Sequence, residues 1–429
     1  MSSRRSFMVR AALAGGAMVL PSGLLTTVGG GCSSDVKRRT DHYFVFYFMM
    51  GGWDLMLHTD PVEPKPGLWV TVDDADVFSA GPYRFGPALK KLSDYFDRTA
   101  ILRGIYCDAL NHPQARFRMC TGHFKPPGVA LPGVPSVQAL LAEKFGGAYD
   151  IPNLSGDALR PSVFRGPEQD ERFEPVRVSS VEQLRGLLGG DGPVSRSRRD
   201  VEAAIAARDA QFLARVGDIS PLAVTANKYG ALARAALDGP MRDQLKQAGQ
   251  LAPDVDRNAK AVKLAVEAIK QDLAPVITIG SGEFDSHTKS QYRGHPASIM
   301  RGFDAVANIA DGLDAHRLAD GTSLLDRTTI VVTSEFSRAP QRNELGGKHH
   351  WPANSMIFLG KGVKRSATKV PRVYGECDGG LNPVAVSGRG NPRTEEFIEM
   401  SNGLATVLAM GGIDPQPLLK TDAVHQLIG

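Results

Sequence analysis

The 429-residue sequence has little cysteine, little aromatic content and no excess of either charge. Four cysteines exclude a disulfide-stapled scaffold. Lys and Arg number 50 against 46 Asp and Glu, a net charge of +4. Arg4, Arg5 and Arg10 all fall in residues 1–31, which carry no acid, so the rest of the chain has 47 basic residues against 46 acidic ones. Such a neutral body gives no electrostatic support for a nucleic-acid partner. Several catalytic signatures are missing. Gly280-Ser281-Gly282 lacks the third glycine of a dinucleotide turn, since Asp285 stands in its place. There is no phosphate-cradling Gly-x-x-x-x-Gly-Lys loop, no Gly-x-Ser-x-Gly elbow and no His-Glu-x-x-His pair. What remains is a globular composition, 42% hydrophobic and 22% charged, long enough for one large or two ordinary domains. The 46 glycines and 28 prolines point to many loops around a rigid core.

The chain opens with Ser3-Arg4-Arg5-Ser6-Phe7 and then an apolar run from Ala11 to Leu25. A basic start before a short apolar segment is the pattern of an export signal, and the arginine pair before Ser-Phe matches the twin-arginine type. Cys32 follows Gly29-Gly30-Gly31, as in a lipoprotein cleavage site, although Gly29 replaces the usual Leu. Residues 1–32 are therefore expected to be a signal with a candidate lipidation site, and the protein to be exported to the periplasm or cell envelope. Contact with a membrane is expected only through the signal or a lipidated Cys32. Cys107 and Cys120 are candidates for a disulfide.

Residues 33–41 read as a tether. Tyr43–Met50 is an unbroken apolar run ended by Gly51-Gly52, the signature of a fully buried strand. Thr99–Tyr106, Pro275–Gly280, Thr328–Thr333 and Ser355–Leu359 are further candidate strands. Phe85–Phe96, Asp256–Leu273 and Pro296–Leu318 have helical spacing between them. Strands alternating with helices predict a doubly wound, mostly parallel α/β sheet. Val201–Val216 and Leu222–Leu237 read as helices of an insertion, residues 155–196 as a linking loop, and Thr394–Met410 as one more helix. The expected plan is a first part of the core at 42–196, a helical insertion at 197–274 and a second part at 275–429.

Ligands of parallel sheets bind beyond the carboxyl ends of the strands. Four predicted strand ends carry carboxylate or imidazole there. They are Gly51-Gly52-Trp53-Asp54, Asp108 through Asn111-His112, Asp285-Ser286-His287, and Ser334-Glu335 followed by Lys348-His349-His350. Imidazole mixed with carboxylate suits a divalent metal such as zinc or manganese.

These segments together with Thr333-Ser-Glu335-Phe-Ser-Arg338-Ala-Pro340 and Gly347-Lys-His-His350-Trp351-Pro352 resemble a large, functionally uncharacterised family of twin-arginine-exported bacterial proteins. That family is grouped with the alkaline phosphatase and sulfatase superfamily. The resemblance implies metals at the strand ends and cleavage of phosphate or sulfate esters. It implies that Asp54, Asp285, His287, Glu335 and His350 hold a divalent ion: zinc, manganese or calcium. Glu335 is followed by Phe336 where relatives of the superfamily have His. His112 falls at the nucleophile position of sulfatases, and no Ser or Thr lies between Thr99 and Thr121. His112 is therefore expected to attack, to act as a base or to ligate metal. Arg116 or Arg338 would either stabilise anionic oxygens or form a structural ion pair.

The function implied is that of an exported metal-dependent hydrolase of a small anionic ester. The alternative is a non-catalytic exported binding or assembly protein that keeps the fold with a degenerate site. The export reading predicts that replacing Arg4 and Arg5 with Lys makes precursor accumulate in the cytoplasm. Cell fractionation and immunoblotting check this, and normal export of the double variant would refute a twin-arginine signal.

Overall fold

In the computed structural model, the residues described are 38–124, 133–156, 165–178, 257–282, 284–386 and 396–429. The apolar run expected from the sequence is strand β1 (Tyr43–Met49), buried along its whole length. Its side chains alternate between two cores. Tyr43, Val45, Tyr47 and Met49 enter one, while Phe44, Phe46 and Phe48 enter the other. A strand covered on both faces has no position for a polar residue, which is why the run is unbroken.

A small hairpin, β2 (Phe78–Ala80) and β3 (Tyr83–Phe85), precedes β4 (Thr99–Tyr106). Then come β5 (Asn153–Gly156), β6 (Val176–Val178), β7 (Val276–Ser281) and β8 (Thr328–Thr333). A two-residue pair, β9 (Ser337–Arg338) and β10 (His350–Trp351), leads into β11 (Ala353–Gly360). The last strands are β12 (Arg372–Tyr374) and β13 (Ile398–Glu399). The main sheet runs β12-β4-β11-β8-β1-β7-β5-β6, with β13 also paired to β4. β1 is parallel to both β7 and β8, and β5 is parallel to β7 and β6.

Helices cover both faces, as expected. On one side α3 (Arg257–Lys270) and α5 (His295–Asp314) contribute Leu264, Ile269, Ile299, Phe303 and Ile309. On the other, α1 (His112–Thr121), α2 (Val137–Phe145) and α6 (Met400–Met410) contribute Met119, Leu141, Leu404 and Leu408. Each such side chain, fully buried, contributes about 1.5–3 kcal/mol. A five-residue helix, α4 (Lys289–Arg293), precedes α5 and starts with a capping box at Thr288 and Gln291.

The structure departs from the sequence reading in several places. β11 runs antiparallel to both neighbours, β4 and β8. A parallel return needs a crossover long enough to hold a helix, but residues 334–352 hold only the β9–β10 pair. Phe85–Phe96 yields short 3-10 turns, Pro87–Leu89 and Leu92–Arg98, in place of a helix. The expected linking loop contains β6, and Thr394–Met410 splits into β13 and α6. Cys107 and Cys120 are buried free thiols, so the candidate disulfide is not formed. The end of the expected tether is attached: Arg39 pairs with buried Asp272 at 3.2 Å. The signal, Cys32 and the Val201–Val216 and Leu222–Leu237 helices lie outside the described residues.

Buried histidines give the fold a pH signature. Burial pushes His42 and His58 down to about 3 and His295 to about 4, so all are neutral in the native state. In the unfolded chain they protonate near the ordinary value of 6.5. Their contribution is complete above about pH 6.5 and is lost as pH falls toward about 3 to 4. Thermal melts from pH 8 to pH 4 should show Tm falling from about pH 6.5 downward. His58→Phe, placed against Trp53 and Phe303, should flatten part of that fall; a Tm constant to pH 4 would contradict the argument.

Candidate metal centre

All the parallel strands point their carboxyl ends at one edge. β11, being reversed, points its amino end there, so His350 just before it reaches the same edge as the loops after β1, β4, β7 and β8. The loop after β1 passes very close to the loop after β7. A Cβ on Gly51 would lie 2.5 Å from the Asp285 backbone nitrogen, and the φ of +118° at Gly51 is one that glycine tolerates best.

His112 starts α1. Asn111 caps that helix by accepting from the Gln114 amide at 2.9 Å, and Pro113 occupies the first turn, where its missing N–H costs nothing. His112 Nδ1 lies 2.9 Å from Glu335 Oε1, and its Nε2 lies 3.4 Å from Asp285 Oδ2. His350 Nδ1 donates to the Leu110 carbonyl, which turns Nε2 inward. There it meets His287 Nε2 at 2.9 Å. Asp285 Oδ1 lies 3.1 Å from His287 Nε2. One ligand atom from each of His112, Asp285, His287 and His350 lies within 4.8 Å of the others.

The donor set fits a divalent ion. Carboxylate and backbone partners on Nδ1 leave the Nε2 atoms of His112 and His350 as lone pairs, the arrangement by which outer partners orient ligating histidines. A ring proton shared between His287 and His350 satisfies these atoms when no ion is bound, with Arg338 Nη1 3.5 Å from His287 Nε2. In a tetrahedral zinc site the ligand atoms stand about 3.3 Å apart, against spacings of up to 4.8 Å here, so the side chains would close in on an ion. Burial, followed by the charge of Arg338, holds His287 below its ordinary value; His350 is lowered to about 4, mainly by burial. Both are therefore neutral, as ligands must be.

Asp54 and Glu335, expected as ligands, stand outside this group and are already engaged. Asp54 is fully buried against Lys348 Nζ at 2.6 Å, accepts from Tyr292 at 2.6 Å and from Thr71 at 3.2 Å, and caps the turn Leu55–Leu57. Burial alone would raise its pKa; the Lys348 charge leads the effects that hold it low instead. Glu335, also fully buried, accepts from the Gly51 amide at 3.0 Å, Ser334 at 3.2 Å and Arg116 Nε at 3.1 Å, besides His112. Burial works to raise it too, and the His112 hydrogen bond and Arg116 charge lead the effects that lower it on balance. Glu335 thus orients His112 from behind.

Sequence reasoning also missed the roles of Phe336 and Lys348, and it left Arg338 open between an oxyanion partner and a structural ion pair. Phe336, read as the loss of a ligand, is a buried wall whose ring lies 4.1 Å from the His350 ring and 4.9 Å from that of His112. Arg338 is fully buried. It donates to the Gly51, Gly52 and Lys348 carbonyls and to Asp285 Oδ1, the last at 2.7 Å. Lys348, with no exposed side-chain surface, neutralises Asp54. A lysine directly before two histidines was the available signal, but sequence could not show that it turns inward.

Lys348→Met would leave the Asp54 charge buried without its partner. The expected cost is about 3–5 kcal/mol, read by urea unfolding. Adding Asp54→Asn should recover most of it; a double variant as unstable as the sum of the two single variants would refute the coupling.

Comparison with solved structures returns distant similarities. The lipoteichoic acid synthase LtaP from Listeria monocytogenes is 10% identical, with 91% of this chain and 76% of that one covered at a TM-score of 0.40. The phosphonate monoester hydrolase SpPMH from Silicibacter pomeroyi is 14% identical, with 90% and 76% covered at 0.37. The PsFucS1 sulfatase from Pseudoalteromonas sp. is 12% identical, with 87% and 68% covered at 0.35. No curated protein matches the chain. The profile of a protein family of unknown function, DUF1501, matches residues 194–425. That stretch is more than half of the chain and contains Asp285, His287, Glu335, Arg338, Lys348 and His350. The chain belongs to the DUF1501 family.

Proposed function

We propose that the protein is a metal-dependent hydrolase of phosphate or sulfate esters that works in the cell envelope after export. The observation that carries this reading is the convergence of His112, Asp285, His287 and His350 at the carboxyl edge of the sheet. The centre is open to substrate: the Asp285 side chain is 45% exposed and that of His287 35%. A divalent ion held by these four residues would polarise an ester oxygen and make water a stronger acid.

The chain's own residues would do the rest. Glu335 fixes the His112 tautomer through Nδ1, leaving Nε2 free to bind an ion or take a proton. In this proposal His112 serves first as a ligand and second as the group that attacks the ester. Arg116 is attached to Glu335 only through Nε among the described residues. Its side chain is 32% exposed, so the outer guanidinium nitrogens can fork onto a sulfuryl or phosphoryl oxygen. Arg338, consumed by backbone carbonyls and Asp285, is unsuited to that task.

Protein purified without chelator should carry metal, and zinc or manganese should raise the Tm of stripped protein by several degrees. Saturation at 100-fold above Kd adds about 2.7 kcal/mol. The loaded protein should hydrolyse p-nitrophenyl phosphate or p-nitrophenyl sulfate, and His287→Ala should abolish both metal stabilisation and turnover. Metal binding without turnover on a panel of esters would favour the non-catalytic alternative. Absence of metal binding would remove the hydrolase reading.

A further inference from the structure

The carboxylates at the edge are already neutralised by fixed cations. Asp54 is paired with Lys348 at 2.6 Å, Glu335 with Arg116 at 3.1 Å and Asp285 with Arg338 at 2.7 Å. The side chains of Asp54 and Lys348 have no exposed surface, so water screens that pair little, while Arg116 at 32% and Asp285 at 45% exposure leave the other two pairs partly screened. The remaining donors, His112, His287 and His350, bring no negative charge when they bind metal.

Two consequences follow from this pairing. A second dication beside the first needs further oxygen donors of negative charge, and the nearby ones are engaged. Asp54 has Lys348, Tyr292, Thr71 and the Met56 amide. Glu335 has Gly51, Ser334, His112 and Arg116. Asp285 keeps Oδ2 for the ion while Oδ1 is held by Arg338. The first ion, moreover, brings a double positive charge into a group whose carboxylates are already paired with fixed cations. That charge is left for something in the cleft to neutralise.

We infer that the centre takes a single divalent ion whose charge the protein leaves uncompensated, so that an inorganic oxyanion and the ion bind cooperatively. This rests on the metal-centre reading above and adds its stoichiometry and its coupling to anions. The oxyanion would meet the ion on its solvent side, next to the outer guanidinium nitrogens of Arg116. Because coupling is reciprocal, the anion must tighten the ion as much as the ion tightens the anion.

Inorganic sulfate is a suitable probe, since it is soluble with zinc. Anomalous diffraction at the zinc edge from zinc-soaked crystals counts the ions among His112, Asp285, His287 and His350. Calorimetry measures sulfate binding to metal-free and zinc-loaded protein. The expected result is one zinc and sulfate affinity raised about tenfold or more by zinc, within the usual range of site coupling. Arg116→Gln, which keeps a side-chain donor, should reduce the coupling while zinc affinity without sulfate changes less. Two ions at the centre, or sulfate affinity indifferent to zinc, would overturn this inference and leave the hydrolase reading standing. No zinc at the centre would overturn both.

Discussion

The Glu335 carboxylate holds the edge of the sheet together. It stands at the carboxyl end of β8 and accepts from the Gly51 amide after β1, from His112 at the start of α1 and from Arg116 one turn further on. Three separate stretches of chain are thereby fixed relative to one another through hydrogen bonds to one ionised group. Bonds to an ionised acceptor are stronger than neutral ones, and burial strengthens them further. The close approach of Gly51 to the Asp285 backbone depends on the same arrangement, because a side chain at Gly51 would drive the loops after β1 and β7 apart.

Around that point the polar interior is arranged in matched pairs. A buried charge without its partner is costly, and a buried pair seldom adds much stability over a well-packed apolar alternative. Asp54 with Lys348 and Asp285 with Arg338 are therefore better understood as devices of orientation. Arg338 joins the backbone carbonyls of Gly51, Gly52 and Lys348 to one carboxylate oxygen, so the loops after β1, β7 and β9 cannot shift independently. Phe336 adds an apolar plate against which the rings of His112 and His350 rest.

Much of this was legible in the sequence. β1, β4, β7 and β8 announced themselves as apolar runs because both faces of the sheet are covered. The placement of His112, Asp285, His287 and His350 followed from the rule that parallel strands expose their carboxyl ends together. What could not be read is which carboxylate stands among the histidines and which are engaged elsewhere. Asp54, Glu335 and Asp285 look alike in sequence, and they differ only in what surrounds them: a lysine for Asp54, Arg116, His112 and a backbone amide for Glu335, and Arg338 with histidines and solvent for Asp285. β5 and β6 were missed because short strands at the margin of a sheet carry too few apolar residues to leave a pattern. The direction of β11 was hidden because an apolar run carries no sign of its polarity.

The reversal of β11 has a bearing on the order of events as the chain folds. The strand lies between β4 and β8, so the sheet has a gap in its middle until residues 353–360 are in place. His350, immediately upstream, arrives with it. The partial chain ending at β8 possesses His112, Asp285 and His287 but no closed sheet to hold them in register. Residues 353–360 thus close the middle of the sheet and bring His350 to the edge in one step, so the four side chains come together only once β11 is in place.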